Sequence, residues 1–97
     1  MKQIELKRVT MDDGSILDYR SILEEVAKRH PQGITVDEME KAVRVLAALK
    51  RAVDAVKLED ADWEILKQYL AVYRFGIVDV ALIQFRDDVR NAPTIEP

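Results

Sequence analysis

The same local arrangement recurs at four places along this chain of 97 residues, and each occurrence starts a helix. A polar residue suited to a helix N-terminus is bracketed by two apolar residues at the N′ and N4 positions, which meet across the first turn as a hydrophobic staple. Leu17 and Ile22 bracket Asp18, Ile34 and Met39 bracket Thr35, Leu58 and Trp63 bracket an acidic run, and Val78 and Ile83 bracket Asp79. The second is the clearest, because Thr35 and Glu38 also have the spacing of a capping box. Ser21 and Glu24 offer a rival start for the first helix.

From these starts the apolar spacing extends each helix. Tyr19, Ile22, Leu23 and Val26 fall on one face of a helix over roughly 19–29, ended by Pro31, with Gly33 free to turn. The second helix carries Val36, Met39, Val43, Leu46, Leu49, Val53 and Val56, which predicts about twenty residues. Its stripe drifts, however, so a bend near Ala47 and Ala48 or a change of neighbour is expected. In the third, Glu59, Asp60 and Asp62 favour the positive end of the helix dipole, Trp63, Leu66, Leu70 and Tyr73 line one face beside Tyr69, and Gly76 is the expected stop. The fourth runs to about residue 90 with Leu82, Phe85 and Val89 inward.

Ahead of the helices, Ile4, Leu6 and Arg8 alternate with Glu5 and Lys7 as a half-buried strand does. Asp13-Gly14 suits a type I′ turn, after which Ser15, Ile16 and Leu17 return as a very short second strand. Two strands alone are marginal in water, so they must lie on the helices or find another strand. The expected fold is mainly α, of the α+β class: a short N-terminal β-hairpin followed by about four helices, in one domain over 1–90, with 91–97 a flexible tail.

Composition removes whole classes of chemistry. The absence of cysteine excludes a disulfide framework, a thiolate zinc site and a cysteine nucleophile. A net charge of −3 gives a field that repels phosphate backbones and anionic membranes. The N-terminal residues form no apolar stretch of signal-peptide length, and no segment reaches the ~18 uncharged apolar residues of a spanning helix. A cytoplasmic protein without membrane attachment is therefore expected. His30, the only histidine, would have to serve Ser15 or Ser21 in any catalytic relay, and all three are better explained by a helix end, a turn and a helix start. Carboxylates cluster at 12–13, 59–64 and 87–88, but an EF-hand reading of Asp60, Asp62 and Glu64 fails, since Ile65 stands where glycine is needed and Ala71 where a bidentate Glu is needed. With Gly14, Gly33 and Gly76 isolated there is no phosphate loop. Neither enzyme activity, nor a cofactor, nor a metal is expected.

Two resemblances bear on function. A helix, a loop with Gly33 and Thr35, and a helix opening at Glu38-Met39 resemble the start of a winged helix domain, which implies a DNA-binding regulator. No turn residue sets off a recognition helix between 40 and 50, and Lys41, Arg44 and Arg51 share their face with Asp37 and Glu40. Taken whole, with Asp18-Tyr19-Arg20, Leu58 through Trp63 and Phe85 through Val89, the chain resembles the small acidic helical proteins of tailed-phage and prophage gene clusters. That implies assembly, chaperone-like or regulatory partners rather than catalysis; with the acidic net charge, a nucleic-acid partner is not expected. Between 72 and 85 only Arg74, Gly76, Asp79 and Gln84 interrupt an apolar run, more than one helix face can hide. Either the last helix is the central core element, or Phe75, Ile77, Val78, Val80 and Ile83 form a surface for another protein, most simply in a two-fold homodimer.

Overall fold

The computed structural model describes residues 1–96 and consists of four helices and two short antiparallel strand pairs. In chain order these are β1 (Lys2–Glu5), β2 (Arg8–Thr10), β3 (Ile16–Asp18), α1 (Tyr19–Lys28), α2 (Val36–Arg51), β4 (Ala55–Leu58), α3 (Asp60–Val72) and α4 (Val80–Arg90). The α+β architecture with N-terminal strands is as expected, and so are the four helix starts. Asp18 caps α1 by accepting from the Arg20 amide, Thr35 caps α2 by accepting from the Glu38 amide at 3.1 Å, and Asp79 caps α4 by accepting from the Ala81 amide. Glu59 precedes α3 without a side-chain cap, leaving Asp60 and Asp62 to complement the dipole.

The strands pair differently from the expected hairpin. Residues 2–5 leave the hairpin and pair antiparallel with β4, Ile4 opposite Val56 and Lys2 opposite Leu58. The hairpin is β2 with β3, Val9 opposite Leu17. The chain changes ladder between Leu6, whose amide donates to the Asp54 carbonyl, and Lys7, whose carbonyl accepts from the Tyr19 amide. Inward alternation therefore shifts phase: Ile4 is buried and Leu6 half-buried, but Arg8 is exposed and Val9 turns in. In the turn only Gly14 has positive φ, at 86°. A type I′ turn needs positive φ at both central residues, so the loop is instead the longer 12–14 connection closed by the Met11 amide on the Ser15 carbonyl.

Strand β4 also shortens the second helix. Arg51 ends α2 after 16 residues, and the segment expected to carry it through Val56 is extended. Arg20, from α1, closes that end: its guanidinium donates to the carbonyls of Leu49, Ala52 and Val53. A cation there satisfies orphan carbonyls and the negative pole of the helix dipole together, worth about 0.3–2 kcal/mol. No bend at Ala47 and Ala48 is needed, because the buried face is Ala42, Val45 and Leu49, and Val36, Met39 and Val43 face solvent. In a similar way α3 ends at Val72, before Gly76, and Tyr73 lies just beyond it.

Every element contributes to one core. Ile4, Leu17, Tyr19, Leu23, Val45, Leu49, Val56, Leu66, Phe85 and Val89 are each at most 2 % exposed. Trp63 is also buried, and its indole N–H donates to the Val89 carbonyl at 2.9 Å, joining α3 to the end of α4. The expected flexible tail is docked over most of its length. Ala92 is buried, the Gln3 amide donates to the Pro93 carbonyl, the Ile95 amide donates to the Met1 carbonyl, and Lys2 bridges to Thr94. Backbone pairing of this kind needs no side-chain pattern, so an irregular sequence can still add to a strand edge. Pro97, the last residue of that expected tail, lies outside the described residues.

Candidate interaction surface

The apolar run from 72 to 85 divides between inside and outside. Ala81 and Phe85 enter the core, and Tyr73, Phe75 and Leu82 pack against it half-buried. Ile77, Val78, Val80 and Ile83 remain outside, 49, 102, 67 and 53 % exposed. Helix α4 thus buries Ala81, Phe85 and Val89 on one face and leaves the other open, so it is not the central core element of the first expected reading. Of the five expected surface residues, Phe75 belongs to the support: its ring meets Tyr73 edge-on, with centroids 4.9 Å apart.

Two carboxylates fix the helix that carries the exposed rim, buried Asp79 at its start and half-buried Asp88 near its end. Asp79, itself only 7 % exposed, accepts from the Ala81 amide with one carboxylate oxygen and from the Asp12 amide with the other, at 2.8 Å. One side chain therefore starts α4 and ties the rim to the tip of the β2–β3 hairpin. Further along α4, Asp88 accepts from the Tyr19 hydroxyl at 2.6 Å and from Gln84 at 2.8 Å, and pairs with Lys7 at 3.6 Å. Burial works against a charged Asp88, but these donors outweigh it and hold its carboxyl below the ordinary 3.8. Burial and the same carboxylate push the Tyr19 hydroxyl up, well beyond the usual phenol range. The sequence signal for the Asp79 cap was local. The link from Asp79 to Asp12 spans 67 residues and has no signature in the sequence.

The other candidate groups are committed elsewhere. His30 Nε2 lies 2.8 Å from the Ala27 carbonyl and its ring stands edge-on to Tyr69, in keeping with a helix-end role. Ser15 is bound to Asp13, whose carboxyl those hydrogen bonds lower from its ordinary value. Asp60, Asp62 and Glu64 sit within α3 and form no calcium loop. Buried Asp62 takes both nitrogens of a fork from Arg44, at 3.0 and 2.8 Å, which removes Arg44 from the cations available to a phosphate backbone. No group of three or more His, Asp or Glu suited to a metal occurs among the described residues.

Two shallow clefts flank the sheet, of about 200 and 250 Å³. The first lies between β1 and α4 beside Lys7, Asp87 and Asp88, the second between α2 and α3 beside Arg44 and Asp62. Within their linings Lys7 pairs with Asp88 in the first and Arg44 with Asp62 in the second. Among the described residues no helix is long and apolar enough to cross a membrane. No protein family, curated protein or solved structure matches the chain. The exposed rim, like Val36, Met39 and Val43 on α2, is apolar surface that the core does not take up.

Proposed function

We propose that this chain is a non-enzymatic protein that works by binding another protein, most simply a second copy of itself, through Ile77, Val78, Val80 and Ile83. The setting that fits its overall resemblance is an assembly or regulatory factor of phage or prophage type. The observation that carries the reading is the rim itself: four large aliphatic side chains about half or more exposed on a support fixed by Asp79 and Phe75. Four such side chains leave on the order of a few hundred Å² of apolar surface in water, the size at which patches mark interaction sites. A standard interface buries ~800 Å² per partner, of which the rim would supply the apolar centre and polar neighbours such as Arg74 and Gln84 the margin.

Sedimentation of the wild type and of Val80→Asp at tens of micromolar tests this. Val80 is the first residue of α4 and 67 % exposed, so an aspartate there leaves the fold within ~0.5 kcal/mol of the wild type. Association of the wild type, abolished in Val80→Asp at an unchanged thermal midpoint, is expected. A wild type that stays at 11.1 kDa refutes self-association. Salt-sensitive retention on heparin would favour a DNA-binding regulator in its place.

A further inference from the structure

Strand β1 has β4 on one side and the C-terminal segment on the other. The Gln3 amide donates to the Pro93 carbonyl at 3.1 Å, the Ile95 amide donates to the Met1 carbonyl at 2.9 Å, and Lys2 stands opposite Thr94, so residues 93–95 run antiparallel beside β1 as a strap. Ala92, 5 % exposed, anchors the strap, and the Lys2 ammonium donates to the Thr94 hydroxyl at 2.7 Å. The cover is incomplete. Pro93 has no amide hydrogen for the Gln3 carbonyl. Two residues on, the Glu5 amide and carbonyl point to the same edge. Their opposite number in this register, Asn91, is still the C-cap of α4 and donates its amide to the Asp87 carbonyl. There the edge opens on the cleft of about 200 Å³ between β1 and α4, lined among others by Gln3, Glu5, Asn91 and Pro93.

We propose that residues 92–95 are a detachable cover that keeps β1 from pairing with β1 of a second copy. An uncovered strand edge is a template for another chain, and a covering segment and a proline at the ladder are two ways of blunting it. This edge is complementary to itself. Antiparallel pairing about Gln3 sets Gln3 opposite Gln3, Lys2 opposite Ile4 and Met1 opposite Glu5, so no like charges stand opposite one another. It also gives the Gln3 carbonyl and the Glu5 amide backbone partners, which the strap does not supply. The strap prevails in the single chain because its tether to α4 makes its pairing intramolecular, at a high effective concentration. The contact uses a surface separate from the α4 rim and does not rest on it.

Unhooking the strap in the full chain tests this. Ala92→Asp with Ile95→Pro removes the buried anchor and the amide given to Met1, and Val80→Asp in the same chain keeps rim association out of the reading. Sedimentation from tens to hundreds of micromolar is followed together with hydrogen exchange at Gln3 and Glu5. With the strap intact, the Val80→Asp chain should be monomeric, its Gln3 amide protected and its Glu5 amide exchanging freely. Unhooking should shift it from monomer to dimer as concentration rises, with the Glu5 amide now protected. Adding Glu5→Pro should return that dimer to monomer, at no loss of a bond to β4, because the Glu5 amide points away from it. An unhooked chain that stays monomeric, its Gln3 amide exchanging freely, overturns the proposal. So does a dimer whose Glu5 amide stays unprotected, or one that survives Glu5→Pro. Should Ala92→Asp abolish the helical circular dichroism signal, Ile95→Pro alone carries the same test.

Discussion

Trp63→Ala removes the side chain that joins α3 to the end of α4. The indole is 7 % exposed, its N–H donates to the Val89 carbonyl at 2.9 Å, and the Lys67 and Lys2 ammonium groups lie 3.6 and 4.5 Å from its ring. Truncating a packed tryptophan costs ~3–5 kcal/mol, from lost burial and the cavity left behind. The hydrogen bond contributes about 1 kcal/mol of that, at the modest end because the Val89 carbonyl also accepts from the Ala92 amide at 3.4 Å. A chain of 97 residues has roughly 5–15 kcal/mol of stability in all, so this substitution takes a large part of it. Trp63→Phe keeps most of the packing and should cost only about 1–2 kcal/mol. Urea unfolding followed by far-ultraviolet circular dichroism measures both without needing the indole. A loss below ~1 kcal/mol for Trp63→Ala would refute the packing argument, as would wild-type tryptophan emission at the wavelength of the free amino acid.

Other residues give sharper, smaller effects. Thr35→Ala should lower stability by about 1 kcal/mol through loss of the α2 cap, and an unchanged denaturation midpoint would count against that cap. Tyr19→Phe should cost about 1.5 kcal/mol, the low end for a hydrogen bond to a charged group because Gln84 and Lys7 remain on Asp88. With its carboxyl held low in the folded state, Asp88 stabilises the fold above its ordinary 3.8 and loses that contribution as pH falls through the depressed value; Asp88→Asn should flatten this acid limb of a pH series. Tyr19 acts in the opposite sense: its raised value supplies stability below the usual phenol range that is lost as pH rises through it, and Tyr19→Phe should abolish this alkaline dependence. Hydrogen exchange should protect the Gln3 and Ile95 amides, which donate to Pro93 and Met1; free exchange at both would mean that 92–95 is not docked on β1.

Helix starts are legible because a cap is complete within a few residues of chain, and Asp18, Thr35 and Asp79 each cap where their spacing says, although Val78, fully exposed, forms no staple with Ile83. What failed was everything settled by distant partners. Ala55 to Leu58 follow Val53 in helical phase without a glycine or proline to separate them, and only pairing with residues 2–5 makes them a strand. On α2 the large Val36, Met39 and Val43 outweighed the small Ala42 in a count of apolar residues, yet Ala42, Val45 and Leu49 are what the core accepts. The terminal segment has no pattern because it docks through its backbone. At the candidate surface the excess of apolar residues between 72 and 85 was visible in the sequence, and four of the five expected residues, Ile77, Val78, Val80 and Ile83, stand exposed. Which of them stand outside depends on the α4 phase set by Phe85 and Val89, and the apolar spacing of Val36, Met39 and Val43 does not distinguish a solvent face from a core face.

The central claim, that the rim is a surface kept for a protein partner, is tested most directly by methyl nuclear magnetic resonance over a dilution series from millimolar to micromolar. Resonances of Ile77, Val78, Val80 and Ile83 are expected to move with concentration, while buried Leu23 and Val89 stay fixed. Rim methyls that do not move at any concentration, or shifts spread equally through the core, would contradict it.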